Sequence, residues 1–384
     1  MNNKVAIERC SSYKAEELYA SIKKAIMAAG DFNVQGKKLL LKPNIVFDAI
    51  PEKAVCTHPE FLQMAIRLFK EMGAKEIYTG DSPGLHMPGF NAKNSGLGEA
   101  AQKEGDGWVD FSKEKVEINY SQGVTVKKFT LTKIIKEVDI IINLPKLKTH
   151  QLMCFTGAMK NLFGLVPSTL KSSFHVRCPS QKAFASMIID LNAALNEIKE
   201  LKIYNLMDAV TAMEGPGPAA GTPRHVGLVL ASSNSLAMDM AACQIIGYPP
   251  DLIPINREAL ERGIWLSPLH KNIDYPILTP SEVCVPSFKK IALKKTAPQL
   301  LNFILPKAAR RILESFAPRP EINYKLCIGC CDCEKICASR VIIKDQASGK
   351  IQIKHEDCIR CFCCHEVCRV SAINIVKKPI KKKD

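Results

Sequence analysis

The 384-residue sequence contains no apolar run of the ~18–20 residues that a membrane-spanning helix needs. Its opening residues, MNNKVAIERC, lack the basic-then-apolar layout of a secretory leader. It also lacks any nucleic-acid recognition motif and any interleaving of basic with aromatic residues. The net charge of +15 is therefore not read as nucleic-acid binding. These absences set the expectation of a cytoplasmic chain without a transmembrane segment. The composition, 47% hydrophobic and 24% charged, is that of a globular protein.

Two things are abundant. The chain has 16 cysteines, which in a reducing compartment point to metal or redox chemistry rather than disulfides. The positive charge is concentrated at one end. Residues 287–320 hold eight basic residues and one acidic one, residues 321–384 hold thirteen and eight, and the other 286 residues carry only +3. Such a bias favours acidic partners, including an acidic redox protein, and anionic surfaces.

Residues 1–285 alternate β-type apolar runs with amphipathic stretches. Leu39-Leu40-Leu41, "EIYTGDS", "VDIIINLP", "IYNLMDAV" and "HVGLVLAS" read as strands. "FLQMAIRLFKEMGA", "KAFASMIIDLNAALNEIKE" and "SLAMDMAACQIIG" read as helices, the last ending at Gly247. This alternation predicts an α/β fold with a largely parallel sheet and flanking helices. Residues 286–320, basic and interrupted by prolines, read as an amphipathic connector. Its character suits contact with a membrane surface or a partner, although packing against the main domain is the plainer reading.

The C-terminus, 321–384, matches itself after a shift of 31 residues. Cys327, Cys330, Cys333 and Cys337 fall on Cys358, Cys361, Cys364 and Cys368, each a C-x2-C-x2-C-x3-C unit followed to the end by a Lys-rich tail. Cys331 and Cys363 break the symmetry, so the eight matched cysteines are the candidate ligands. The unit resembles bacterial-type two-cluster ferredoxins over residues 321–376. The resemblance implies a small α+β domain holding two [4Fe–4S] clusters, each completed by a cysteine from the other half. One cluster takes Cys327, Cys330, Cys333 and Cys368. The other takes Cys358, Cys361, Cys364 and Cys337. The proline that usually follows the fourth cysteine is replaced by Ala338 and Arg369.

In the large region, ligands of open α/β sheets bind beyond the C-terminal ends of strands. Lys42, Asp81, Lys146 and Asp208 are read at such ends. Lys146, Lys148, His150, Lys160 and Asn161 follow "VDIIINLP", and Glu214 precedes a Gly/Pro-rich loop. The clustered cations suit a small anionic ligand. His150 is a candidate acid/base and Lys160 a candidate nucleophile. "THPEF", "GDSPG", "NLPKLKTH", "TGAMKNLFG" and "MEGPGP", in this order, resemble the family called domain of unknown function 362, over roughly residues 4–285. Members often carry a C-terminal ferredoxin module. A more distant similarity, to nickel-pincer lactate racemases, implies His150 as acid/base, Lys160 as cofactor or substrate anchor and His175 as a candidate metal ligand. The expected function is electron transfer through two clusters, coupled to redox chemistry on an anionic ligand near His150 and Lys160. The alternative is a non-catalytic carrier whose large domain docks a protein.

Overall fold

The triplet Leu39-Leu40-Leu41 shows how the sheet is built. Leu40 packs on one face, while Leu39 and Leu41 pack on the other. Ile140, Ile141 and Ile142 alternate in the same way. A continuous apolar run is what a strand buried on both faces requires. The computed structural model describes residues 3–85, 89–264, 272–293 and 317–377.

Strands β1 (Ala6–Arg9), β2 (Lys38–Pro43) and β3 (Glu76–Thr79) are followed by a small separate hairpin, β4 (Lys115–Asn119) and β5 (Lys128–Thr132). Next come β6 (Ile140–Leu144), β7 (Lys146–His150), β8 (Cys154–Thr156), β9 (Lys202–Glu214) and β10 (Thr222–Ser232). The main sheet has the order β1-β10-β9-β6-β2-β3. Its β9-β6-β2-β3 centre is parallel. β10 and β1 are antiparallel additions. The Gly/Pro-rich loop after Glu214 therefore closes an antiparallel β9–β10 hairpin. The long β9 pairs with β6 through its first residues and, beyond Pro145, with β7.

Helices α1 (Ala15–Ala29), α2 (Pro59–Glu71) and α3 (Leu97–Glu104) cover one face. Helices α4 (Ala158–Asn161), α6 (Gln181–Asn196), α7 (Ser235–Ile245) and α8 (Pro254–Glu261) cover the other, and α5 (Ser168–Arg177) lies at its edge. Helix α2 starts as its sequence suggests, with Pro59 in the first turn and the His58 ring accepting from Glu60 N. Gly247 (φ +73°) ends α7 in a Schellman turn, with Gly247 N donating to Gln244 O and Tyr248 N to Cys243 O. The expected connector, 286–320, lies mostly outside the described residues.

The C-terminal unit contains β11 (Arg319–Ile322), α9 (Asp332–Ile336), β12 (Ile342–Lys344), β13 (Ile351–Ile353), α10 (Cys363–Glu366) and β14 (Ile373–Val376). The 31-residue repeat is structural as well as sequential. Left-handed residues recur at Gly329 and Arg360, at Cys331 and Phe362, and at Arg340 and Ser371. The halves interlock, because β11 pairs with β14 and β12 with β13. Phe362 replaces Cys331 in the second half and is buried in the core of the main sheet, which anchors the unit there. No helix among the described residues is long and apolar enough to cross a membrane.

Candidate functional site beneath the cysteine-rich unit

A cavity lies beyond the C-terminal ends of β2 and β3. Its floor comes from the main domain and includes Lys42, Asp81, Lys160, Asn161, Lys171 and His175. Its roof comes from the C-terminal unit, through Ile336, Cys363, Glu366 and Val367.

Lys42 and Asp81 form a fully buried ion pair at 2.8 Å. Lys42 Nζ also donates to Pro43 O at 2.9 Å, and Asp81 accepts from Ile45 N and Ser82 N. Asn161 joins the pair to Asn44 and Asn143. Gly164 packs so closely on this ion pair that a Cβ would collide with Asp81 Oδ1 and Lys42 Nζ. Lys160 rides on the one-turn helix α4. The carboxylate of Asp239, from α7, caps that helix by accepting from Ala158 N and Met159 N. A side chain at Gly157 would strike Asp239, so glycine there lets the cap close. Burial raises Asp239 to about 7, against the pull of the two N–H bonds.

Lys160 differs from the other lysines of this region. Among the described residues, its amine has no hydrogen-bond or ion-pair partner. Lys171 Nζ donates to Ser82 O, and Lys148 Nζ to Val55 O at 2.5 Å. Burial pushes Lys160 down, and it pushes Lys148 and Lys171 down to about 7.

His150, at the end of β7, is buried and held by its ring. Nδ1 accepts from Leu152 N (3.1 Å) and Met153 N (3.3 Å), which assigns the proton of the neutral imidazole to Nε2. Nε2 lies 3.1 Å from Glu366 Oε1, at ion-pair distance but without the alignment of a directed hydrogen bond. Burial, with Lys160 nearby, lowers His150 to about 4, so at neutral pH it is an uncharged ring rather than a group poised near 7. Burial alone would raise Glu366, but His150, Lys160 and His175 hold it well below the usual carboxylate range. His175 stacks on Phe184 with ring centroids 4.5 Å apart, and its ligand nitrogen lies within 4.8 Å of Cys361 and Cys363.

The other sequence candidates fall elsewhere. Lys146 and Asp208 do not share this cavity. Lys146 begins β7 and Asp208 sits mid-β9, not at a strand end. They pair at 2.7 Å beneath Tyr13, whose hydroxyl bonds both, and Tyr13 stacks on His58. The pair is satisfied internally. Glu214 accepts from Lys289 N, away from the cavity. Asn44, Thr156, Lys171, Asp239 and Glu366 escaped the sequence reading. Glu366 had one available signal, since it follows the C-terminal motif's third cysteine by two residues.

Several cysteines of the C-terminal unit cluster together. Cys327, Cys330, Cys333 and Cys368 line one cavity, with Cys331 beside them. Cys358 lies near Cys361 and Cys337, and Cys364 lies near the same two, Cys358 and Cys333. Backbone amides point at the two crossing cysteines in symmetric fashion, Val341 N to Cys337 Sγ (3.3 Å) and Ala372 N to Cys368 Sγ (3.1 Å). A pocket of thiols receiving N–H bonds fits a metal-bound thiolate set. Cys363 is buried against the cavity. Its counterpart in the first half, Asp332, instead pairs with Arg369 at 3.3 Å.

Among solved structures, a Thermotoga maritima protein is 14% identical with a TM-score of 0.42, covering 61% of this chain and 59% of its own. The lactate racemase apoprotein from Thermoanaerobacterium thermosaccharolyticum is 14% identical with a TM-score of 0.39, covering 62% and 56%. The chain thus spans less than two thirds of either, and the two carry no argument about chemistry. A thylakoid-associated protein of Synechocystis sp. is 30% identical over 323 residues, 82% of this chain and 95% of that protein. Residues 39–244, which hold β2 through α7, match the family described as Domain of unknown function (DUF362), and to that family the chain belongs.

Proposed function

We propose that the chain is an iron–sulfur protein that transfers electrons through two [4Fe–4S] clusters and couples them to a redox reaction on a small anionic ligand in the cavity beside His150 and Lys160. The observation that carries this reading is the shared cavity. Its roof is the cysteine-rich unit, and Cys363 and Glu366 reach it from a helix lying between Cys361 and Cys368. Clusters of this type supply one-electron transfer when bound. Cys327, Cys330, Cys333 and Cys368 would hold one, and Cys358, Cys361, Cys364 and Cys337 the other.

The residues of the main domain have separate tasks in this reading. Lys160 and Lys171 attract the anion. The Lys42–Asp81 pair and Asn161 fix the floor. His150, with Nδ1 tied to backbone N–H groups, presents its Nε2 proton to Glu366, which lines the cavity. A purely electron-carrying role leaves the half-buried Lys160 amine, unpartnered among the described residues, without a purpose, and the enzymatic reading is preferred for that reason.

The test is the iron content and spectrum of anaerobically purified protein. About eight iron atoms per chain are expected from the two-cluster arrangement. Cys358→Ala should lower the content and alter the cluster signal. Four irons per chain, unchanged by Cys358→Ala, would overturn the two-cluster reading.

A further inference from the structure

The cavity contains more than an excess of cations. Three buried oxygens of its wall, Asn44 Oδ1, Ser82 Oγ and Thr156 Oγ1, have no hydrogen-bond partner. Buried polar atoms of this kind are costly unless a ligand or water satisfies them. Two are hydroxyls, able to donate to a ligand oxygen, and the third can only accept. Lys42 is neutralised by Asp81. Among the described residues, Lys171 has no carboxylate partner, bonding the Ser82 carbonyl and lying over the Phe163 ring, and Lys160 has no hydrogen-bond or ion-pair partner. The ligand that fits is small and polar, carries an acid group, and meets an unengaged primary amine.

We propose that Lys160 binds its ligand covalently, by condensing with the ketone carbon of a small 2-oxo acid whose carboxylate is held by Lys171 and the Ser82 and Thr156 hydroxyls. This rests on the cavity being the ligand site, as read above. The Lys160 nitrogen adds to the carbonyl carbon, and the carbonyl oxygen leaves as water with the two protons of the amine. The product is an imine. No oxidant or reductant is consumed.

Two further features support this chemistry. A lysine acts as nucleophile in its uncharged form, and desolvation favours that form at Lys160 against the opposing charge of Glu366. The carboxylate of Asp239 fixes the backbone of α4, so the Lys160 stem starts from a rigid turn rather than a loop. Lys146, more deeply buried than Lys160, is saturated by Asp208 and Tyr13 and should not react.

The experiment incubates anaerobically purified holoprotein with pyruvate, and separately with 2-oxoglutarate, then adds borohydride. Reduction converts an imine to a stable secondary amine. Peptide mass spectrometry then locates the added carboxyalkyl group. Labelling confined to Lys160, and lost in Lys160→Arg with the cluster absorbance retained, is the expected result. Absence of any adduct with either acid, or adducts on surface lysines without Lys160, would overturn the proposal. Should Lys160→Arg fail to fold, the peptide map of the wild-type protein decides alone. Iron content is measured on the same samples. Full iron with no adduct removes the imine and leaves the electron-transfer reading. An adduct in protein that never holds iron does the reverse.

Discussion

Asp81→Asn isolates the energetics of the cavity floor. The substitution keeps the shape and removes one charge from a pair whose side chains are 0% and 2% exposed. Burial pushes the Lys42 amine toward its neutral form, and Asp81 opposes that push. Without Asp81, the folded protein either buries an unpaired ammonium or releases its proton. Breaking a buried pair in this way costs ~3–5 kcal/mol. The deprotonation route gives a similar figure, since neutralising a lysine of ordinary pKa ~10.4 at pH 7 costs about 1.36 kcal/mol for each of ~3.4 units, or ~4.6 kcal/mol. Lys42 keeps its bond to Pro43 O, which places the expectation toward the lower part of this range. The deprotonation route also fixes a sign. The unfolded variant binds a proton at Lys42 that the folded variant lacks, so its stability rises with pH, by ~1.4 kcal/mol per unit below pH ~10. Urea unfolding of variant and wild type, followed by far-UV circular dichroism at pH 7, 8 and 9, measures both effects. A loss below ~1 kcal/mol at pH 7 would refute the buried-pair argument. A loss that does not shrink with pH would refute the neutral lysine.

Gly164→Ala forces a methyl group against the same ion pair. It should cost ~1–3 kcal/mol in unfolding free energy and weaken ligand capture at Lys160, and a neutral result in both assays would contradict the packing described. Asp239→Asn tests the cap of α4. Folded Asp239 keeps its proton up to about 7, whereas the unfolded carboxyl releases it near ~3.9. Between those values the folded state binds more protons, so this group makes stability fall as pH rises. Asp239→Asn should flatten that part of the profile measured by urea unfolding, and an unchanged slope would refute the assignment.

What could be read from the sequence was local or periodic. The Leu39–Leu41 and Ile140–Ile142 runs announced strands because burial on both faces leaves no polar positions. The cysteine repeat marked its eight equivalent positions because a duplication aligns them. The site was only partly legible. Lys42, Asp81, Lys160, Asn161 and His175 meet at one cavity. Lys146 and Asp208 looked equivalent to them and form a separate, satisfied pair, since a lysine near a strand end does not reveal which carboxylate will face it. The antiparallel pairing of β9 with β10 was not legible, because an apolar run does not state its direction. Asp239 and Glu366 were invisible for another reason. Their partners lie 81 and 216 residues away, and no spacing rule spans such distances.

The interlocked strands of the C-terminal unit impose an order of assembly. β11 has no partner until Val376 exists. Neither half of the duplicated unit is a folding unit by itself. During synthesis the main sheet, finished by residue 232, can form with its cavity still unroofed. The roof arrives last, from residues 336–367, and its seat is Phe362 in a core already made. A chain stalled before that point would then expose Lys160 and His150 to solvent, and completing the cysteine-rich unit would cover them.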